Sequence, residues 1–331
     1  MTDNSPKGRT DKATMRLGAD KAGIARAARL LTDGALVAFP TETVYGLGAD
    51  ARNGGAVAAI YQAKGRPSFN PLIAHVHERA AADALAALPG PLARIADAFW
   101  PGPVTLVAPR RAGCGLSSLV TAGLDTVALR VPHGETARAL LREFGGPIAA
   151  PSANPSGQIS ATSADHVLAG LNGKIAAVLD DGPTPVGVES TILGMEGDNV
   201  VLLRPGGLTS ETIAATTGIH VAARSGSGIS APGQLVSHYA PRVSVRLNAA
   251  APGPDEAWLD FGATTPHGCA LDLSPSADLL EAAANLFDYL HRLDAMATRH
   301  GITRLAVAPV PMHGLGLAIN DRLSRAAAPR P

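Results

Sequence analysis

Ala35-Leu36-Val37-Ala38-Phe39-Pro40 decides how this chain is read. Five apolar residues in succession make one short buried strand, and the proline that follows ends it. Just upstream, Ile24, Ala27, Ala28 and Leu31 fall at i, i+3, i+4 and i+7, the spacing of one helical face, and Gly34 stops that helix. The same rhythm returns down the chain. A helix is predicted over about 56–64, with Gly65 closing it, and strands over 71–76, 104–108, 126–131, 147–150, 176–179 and 200–203. Helical patterns at 136–144, 163–171 and 211–216 alternate with them, and alanine-rich helical sequence runs toward Trp100. Such alternation predicts an α/β layer architecture, although it fixes no strand order and leaves room for antiparallel pairs.

The composition shifts near Ala222. Ser225-Gly226-Ser227-Gly228 and Ala231-Pro232-Gly233 suit neither helix nor strand, and the stretch continues to Pro241. A connection of roughly 20 residues is a lid or a linker more often than an ordinary loop. Beyond it, strands at 243–247, 258–261 and 305–308 and a helix carrying Leu279, Ala283, Leu286, Leu290 and Leu293 form a second, smaller α/β unit. The expected organisation is a disordered leader at 1–14, a first domain at 15–224, a linker or lid at 225–242 and a C-terminal domain at 243–331. A length of 331 residues suits two domains of roughly 100–200 residues each.

Lysines and arginines number 28, matching 28 aspartates and glutamates, so the chain lacks the basic surplus that wrapping a nucleic acid requires. Direct tRNA binding is accordingly expected to be weak or absent. Cys114 and Cys269 form no C-x-x-C pair, which fits a reducing compartment. The polar stretch 1–12 has no apolar signal core, and no run approaches the roughly 18 apolar residues of a membrane span. A cytoplasmic protein without membrane attachment is expected.

Several motifs carry chemistry, each with a plainer alternative. Gly46-Leu47-Gly48-Ala49-Asp50-Ala51 matches G-x-G-x-x-A, but Pro40 to Tyr45 separates it from the preceding strand, which weakens a dinucleotide reading. His75-Val76-His77 has no further metal ligand nearby in sequence, so a polar role for His75 is preferred to a metal site. Lys64-Gly65-Arg66-Pro67 reads either as favourable charge at a helix C-terminus or as a phosphate clamp, a point charge beside a planar fork. Pro151-Ser152-Ala153-Asn154-Pro155 is either an ordinary polar turn or a pair of ligand-binding side chains steadied by prolines. Arg130, Glu189-Ser190-Thr191-Ile192 and Leu203-Arg204-Pro205-Gly206 repeat one pattern, polar groups where apolar strands end. Open α/β sheets bind ligands there.

Together these residues resemble a known family. Pro40-Thr41-Glu42-Thr43-Val44-Tyr45-Gly46-Leu47-Gly48, Lys64 to Pro67 with Asn70-Pro71-Leu72, Trp100-Pro101-Gly102-Pro103, Pro151 to Asn154 and Val188 to Ile192 occur in the order of the YrdC-like threonylcarbamoyladenylate synthases. His238-Tyr239-Ala240-Pro241 and Gly314-Leu315-Gly316-Leu317-Ala318-Ile319-Asn320-Asp321-Arg322 resemble the family's longer, two-domain branch. The resemblance implies a twisted, open mixed sheet with helices around a basic cavity, plus a smaller C-terminal Rossmann-like domain. It implies an enzyme, a nucleotidyltransferase that joins ATP, L-threonine and bicarbonate into threonylcarbamoyl-AMP and pyrophosphate. The product passes to the machinery that makes threonylcarbamoyladenosine in tRNA.

Carried over residue by residue, Thr41, His75, Arg130 and Ser190 would hold threonine and its carbamoyl group. Lys64, Arg66, Asn70, Thr121, Ser152, Asn154, Ser160 and Arg204 would line the ATP side, and Tyr239 would reach the nucleotide from the linker. Lys64 and Arg66 would act in catalysis, with Mg²⁺ entering on the ATP phosphates rather than on a protein metal site. Asp180 and Asp181 are weighed as metal ligands, with a solvated turn preferred. One departure stands out. The family's linker often reads S-P-G-M-[KR]-Y-[KR]-H-Y-A-P, whereas here Ala231-Pro232-Gly233-Gln234-Leu235-Val236-Ser237 precedes His238, without the basic positions. Alternatives are a nucleotide- or RNA-binding regulatory protein and a carbamoyl-adenylate-forming carbamoyltransferase. The hydrogenase-maturation form of the latter carries additional regions for which this chain has neither the length nor the cysteines.

Overall fold

A computed structural model describes residues 13–225, 232–233, 237–262 and 268–329. The first helix shows how local sequence sets the pattern. Asp20 caps Lys21–Thr32 by accepting from the Gly23 amide at 2.8 Å, and Ala27, Ala28 and Leu31 turn inward. The next helix, Gly54–Lys64, starts on the Asn53 side chain and ends where Gly65 takes φ +62, a conformation that favours glycine. Lys64 therefore occupies the last helical position and Arg66 the first extended one.

The large sheet is mixed. Across it the strands run Met15–Gly18, Ala177–Asp180, Val37–Phe39, Gly46–Asp50, Ile148–Ala149, Ile73–His75, Thr126–Arg130, Val104–Pro109, Thr191–Glu196, Asn199–Arg204 and Ala222–Ala223. Val37–Phe39 is antiparallel to Gly46–Asp50, while Ile73–His75 is parallel to Thr126–Arg130. The smaller sheet, in the order Ser244–Arg246, Arg304–Val307, Glu256–Asp260 and Ala270–Asp272, is parallel throughout. The long helix Leu279–Arg299 packs on it along the apolar seam read from the sequence.

Several expectations change. Gly46–Asp50, the G-x-G-x-x-A match, is a buried strand and not a phosphate turn. Its glycines serve packing: a Cβ on Gly48 would lie 2.9 Å from a Phe39 ring carbon and 3.0 Å from Ile148. Glu189 and Ser190 precede the strand Thr191–Glu196 instead of closing one. The helical sequence before Trp100 forms two helices, Arg79–Leu85 and Gly90–Phe99. Thr14, assigned above to the leader, is tied down: its hydroxyl donates to the Ile175 carbonyl at 2.9 Å and accepts from the Gly173 amide. The rest of the expected leader, and linker residues 226–231 and 234–236, fall outside the described residues.

The two domains share a core. Val44, Ile159 and Val188 of the first domain cluster with Leu286, Phe287 and Leu290 of the long helix. His166 and His291 stack across the boundary at 3.9 Å. Gly187, at φ +74, lies directly on the helix backbone, where a Cβ would come 2.3 Å from the Ala283 carbonyl oxygen. No described helix is long and apolar enough to cross a membrane.

Candidate active site

The strand register brings the first polar pair together. His75 lies opposite Arg130 in the parallel pair, and Gly46 bridges to Ser152 on the neighbouring strand end. The loop after Phe39 adds Thr41 and Glu42. Arg130 Nη2 donates to Glu42 Oε1 at 2.7 Å, with both side chains buried, and its Nε reaches the Gly102 carbonyl of the Trp-Pro-Gly-Pro segment. Glu42 Oε2 accepts from the His133 and Gly134 amides. Burial works to raise the Glu42 carboxyl, but Arg130 and these amides overcome it and hold it below the usual range. Burial first, and Arg130 second, push His75 down to about 3, so its ring is neutral. The Thr41 hydroxyl donates to the Val44 carbonyl at 2.7 Å, fixing the loop.

The other end of the cleft differs in charge. Lys64, Arg66 and Arg204 are buried, and none forms an ion pair among the described residues. Lys64 Nζ donates to the carbonyls of Ser152, at 2.6 Å, and of Asn154. Arg66 donates to the Asn70 and Pro71 carbonyls, and Arg204 to the Ser190 carbonyl at 2.8 Å. A register shift between Leu202 and Arg204 marks the strand end that carries Arg204, a device that re-aims side chains beside active sites. Burial pushes Lys64 well below its ordinary value, with Arg66 adding repulsion, and brings Arg66 to about 10. Carbonyls and one hydroxyl, without a contacting carboxylate, hold three cations here, an environment suited to an incoming anion.

The described part of the linker lines the same cleft. Tyr239 is buried at φ +62, in left-handed backbone unusual for an aromatic residue. Its ring packs on His238 at 4.0 Å and Phe287 at 5.4 Å. Gly233, at φ +83, fits so closely that a Cβ there would lie 2.9 Å from Arg204 Cδ and 3.2 Å from the Tyr239 hydroxyl. The space remaining in the cleft is about 50 Å³.

Of the residues expected from sequence, Thr41, Arg66, His75, Arg130, Ser152, Ser190, Arg204 and Tyr239 line this cleft. Lys64 stands behind its wall. Asn70 is fully buried beside it, with both amide atoms unpartnered, a costly arrangement unless something else meets them. Asn154 lines a larger neighbouring cleft of about 710 Å³ together with Gly65, Pro67 and His291. Ser160 instead donates to Glu189 Oε1 at 2.6 Å, and the Thr121 hydroxyl donates to the Ser118 carbonyl, so these two are not brought to the cleft. Asp180 pairs with Arg16 at 2.7 Å and Asp181 accepts from Thr136, which engages both carboxylates away from a metal. No group of three metal-ligating side chains occurs among the described residues.

Sequence reasoning gave no role to Glu42, Glu189, His238 or Arg322. All four sit inside the quoted motifs, and a charged residue amid buried neighbours was the available signal. Glu189 is pulled down to about 2: burial opposes ionisation, but Arg322 and Arg204 outweigh it.

Comparison with known proteins shows what the whole chain is similar to. A family model described as Telomere recombination matches residues 29–206, and one described as Threonylcarbamoyl-AMP synthase, C-terminal domain, matches residues 208–328. The threonylcarbamoyl-AMP synthase of Bacillus subtilis is 42% identical over 342 residues, covering 96% of this chain and 96% of the relative. That of Pyrococcus abyssi is 41% identical over 327 residues, covering 92% and 94%. The crystal structure of P. abyssi Sua5 complexed with L-threonine superposes with a TM-score of 0.85 at 37% identity, covering 96% of this chain and 98% of that one.

Proposed function

The chain belongs to the threonylcarbamoyl-AMP synthase family, and from that premise we propose that it joins L-threonine, bicarbonate or carbon dioxide, and ATP into threonylcarbamoyl-AMP and pyrophosphate. The product would serve the threonylcarbamoyladenosine modification of tRNA. The observation that carries this reading is the split in charge along one cleft. Arg130 is matched by Glu42, while Lys64, Arg66 and Arg204 have no carboxylate partner.

Threonine belongs at the compensated end, among Thr41, His75, Arg130 and Ser190. A neutral His75 can hydrogen-bond there without repelling an ammonium, and its low pKa makes it a weak base. The threonine amine combines with carbon dioxide to give a carbamate and releases a proton. A carbamate oxygen then attacks the α-phosphorus of ATP, forming a C–O–P link as the bond to pyrophosphate breaks. The nucleophile is already anionic, so this step needs no general base and depends on positioning and charge neutralisation. Lys64, Arg66 and Arg204 are placed for the triphosphate, with Asn70, Ser152 and Asn154 close by. Glu42 and Glu189 are each held by an arginine, and the described residues offer no carboxylate set for a resident metal. Mg²⁺ would arrive as part of the substrate, MgATP.

The linker gives this site a part that could open. About 50 Å³ remains in the cleft, and movement of Tyr239 and the Pro232-Gly233 turn would make room for the triphosphate beside the neighbouring cleft of about 710 Å³. Their return would keep water from the carbamate. The decisive assay measures pyrophosphate release with each substrate omitted in turn. Release should require ATP, threonine and bicarbonate together; release from ATP alone would defeat the proposal. An RNA-binding reading finds little support, because the unpaired cations sit inside a closed cleft rather than along an open face.

A further inference from the structure

Arg322 belongs to the C-terminal domain, on the helix Gly316–Ala327, yet its side chain ends among the groups of the first domain's cleft. It is fully buried. Its Nε donates to Glu189 Oε2 at 3.0 Å, its Nη1 donates to the Pro205 carbonyl at 2.6 Å and to Asp321 Oδ2 at 2.9 Å, and its guanidinium lies 5.5 Å from the centre of the Tyr239 ring. One side chain thus touches the segments carrying Ser190, Arg204 and the linker tyrosine.

The charges give this contact a purpose. Glu189 is a buried carboxylate on the cleft wall, and its field reaches both Lys64 and Arg204. In a site with little water such a field is weakly screened. Left unmatched, Glu189 would pair with those cations and withdraw them from a phosphate. Arg322 supplies the opposite charge from behind, its neighbour Asp321 being matched in turn by Arg325 at 3.0 Å, while Ser160 satisfies the second oxygen of Glu189.

We propose that Arg322 is a positioning residue for ATP, neutralising Glu189 from the C-terminal domain so that Lys64 and Arg204 stay available to the triphosphate. The C-terminal domain is then part of the catalytic unit and not an appendage to it. This rests on the assignment of Lys64, Arg66 and Arg204 to the triphosphate.

The test is a double-mutant cycle read by calorimetric titration with ATP and, separately, with threonine. Arg322→Gln is expected to weaken ATP binding about tenfold or more while threonine affinity moves far less. In a Glu189→Gln background the same change is expected to cost at most about threefold, because no carboxylate remains to be neutralised. Equal losses in both backgrounds would make Arg322 a mere prop and overturn the inference. So would parallel losses of ATP and threonine, or no loss of ATP at all. If Arg322→Gln does not fold by circular dichroism, Glu189→Gln is compared with the double variant: an added ATP loss above about threefold overturns the inference, and a smaller one supports it. Lys64→Ala separates the two levels. Normal ATP binding by that variant sinks the triphosphate assignment, whereas loss there with none in Arg322→Gln sinks only the role of Arg322.

Discussion

The two ends of the cleft are built from the same kinds of residue and reach opposite states. At one end Arg130 and Glu42 neutralise each other at 2.7 Å, and two backbone amides complete the carboxylate. At the other, Lys64, Arg66 and Arg204 donate to carbonyls and, for Arg204, to the Ser190 hydroxyl, with no carboxylate in contact. A matched end can receive a zwitterion without a net electrostatic preference. An unmatched end is incomplete until an anion arrives, and burial makes that incompleteness strong. Both cost stability, but only the second converts its cost into binding.

Removing the unmatched charges gives the largest expected change. Lys64→Ala or Arg66→Ala should lower threonine-dependent pyrophosphate release by about 10²–10³, the range for deleting one electrostatic group in an active site. Wild-type rates in either variant would end the contrast between the two ends. Folding stability should respond in the reverse order. Glu42→Gln leaves Arg130 buried without its partner, costing about 3–5 kcal/mol, whereas Lys64→Ala removes a burdened cation and should cost less. Urea unfolding of the two variants side by side checks this ordering.

Proton linkage sharpens the comparison further. Burial lowers the Lys64 pKa in the ligand-free protein, and a bound triphosphate would raise it again. Between those two pKa values ATP binding takes up protons, at most about one per Lys64, so affinity falls as pH rises through the window. Titrations in buffers of different ionisation enthalpy should reveal the uptake, and threonine binding should show none from this group. A smaller effect is expected at Gly233, where a side chain would be strained at φ +83 and would press on Arg204. Gly233→Ala should raise the KM for ATP by roughly tenfold, for about 1–2 kcal/mol of left-handed strain. The smallest is none: Asp180→Asn should leave activity and its Mg²⁺ dependence unchanged, since Asp180 serves Arg16 and the turn at Gly182.

Much of this molecule was legible in one dimension. Lys21–Thr32 declared itself through apolar spacing and Gly54–Lys64 through its terminal glycine, both local properties. Gly46–Asp50 did not, because its glycines are demanded by Phe39 and Ile148, which ride over Gly48 from two other strands. The site divided the same way. Residues that stand at strand ends, such as Arg130 and Arg204, were visible from the chain alone. The partners that determine their charge were not: Glu42 meets Arg130 across 88 positions and Glu189 meets Arg322 across 133. A motif shows that a charge is present. Only the fold shows whether that charge is already spent.

Gly187 carries one more consequence. Where it crosses the long helix, backbone rests on backbone, with no side chain between to act as a bearing. Surfaces that meet in this way do not glide; they are seated or they are apart. The apolar cluster around Val44, Val188 and Phe287 makes parting expensive. The two domains are therefore seated as a single hull, and among the described residues the short piece of chain that holds Tyr239 is what lies over its opening.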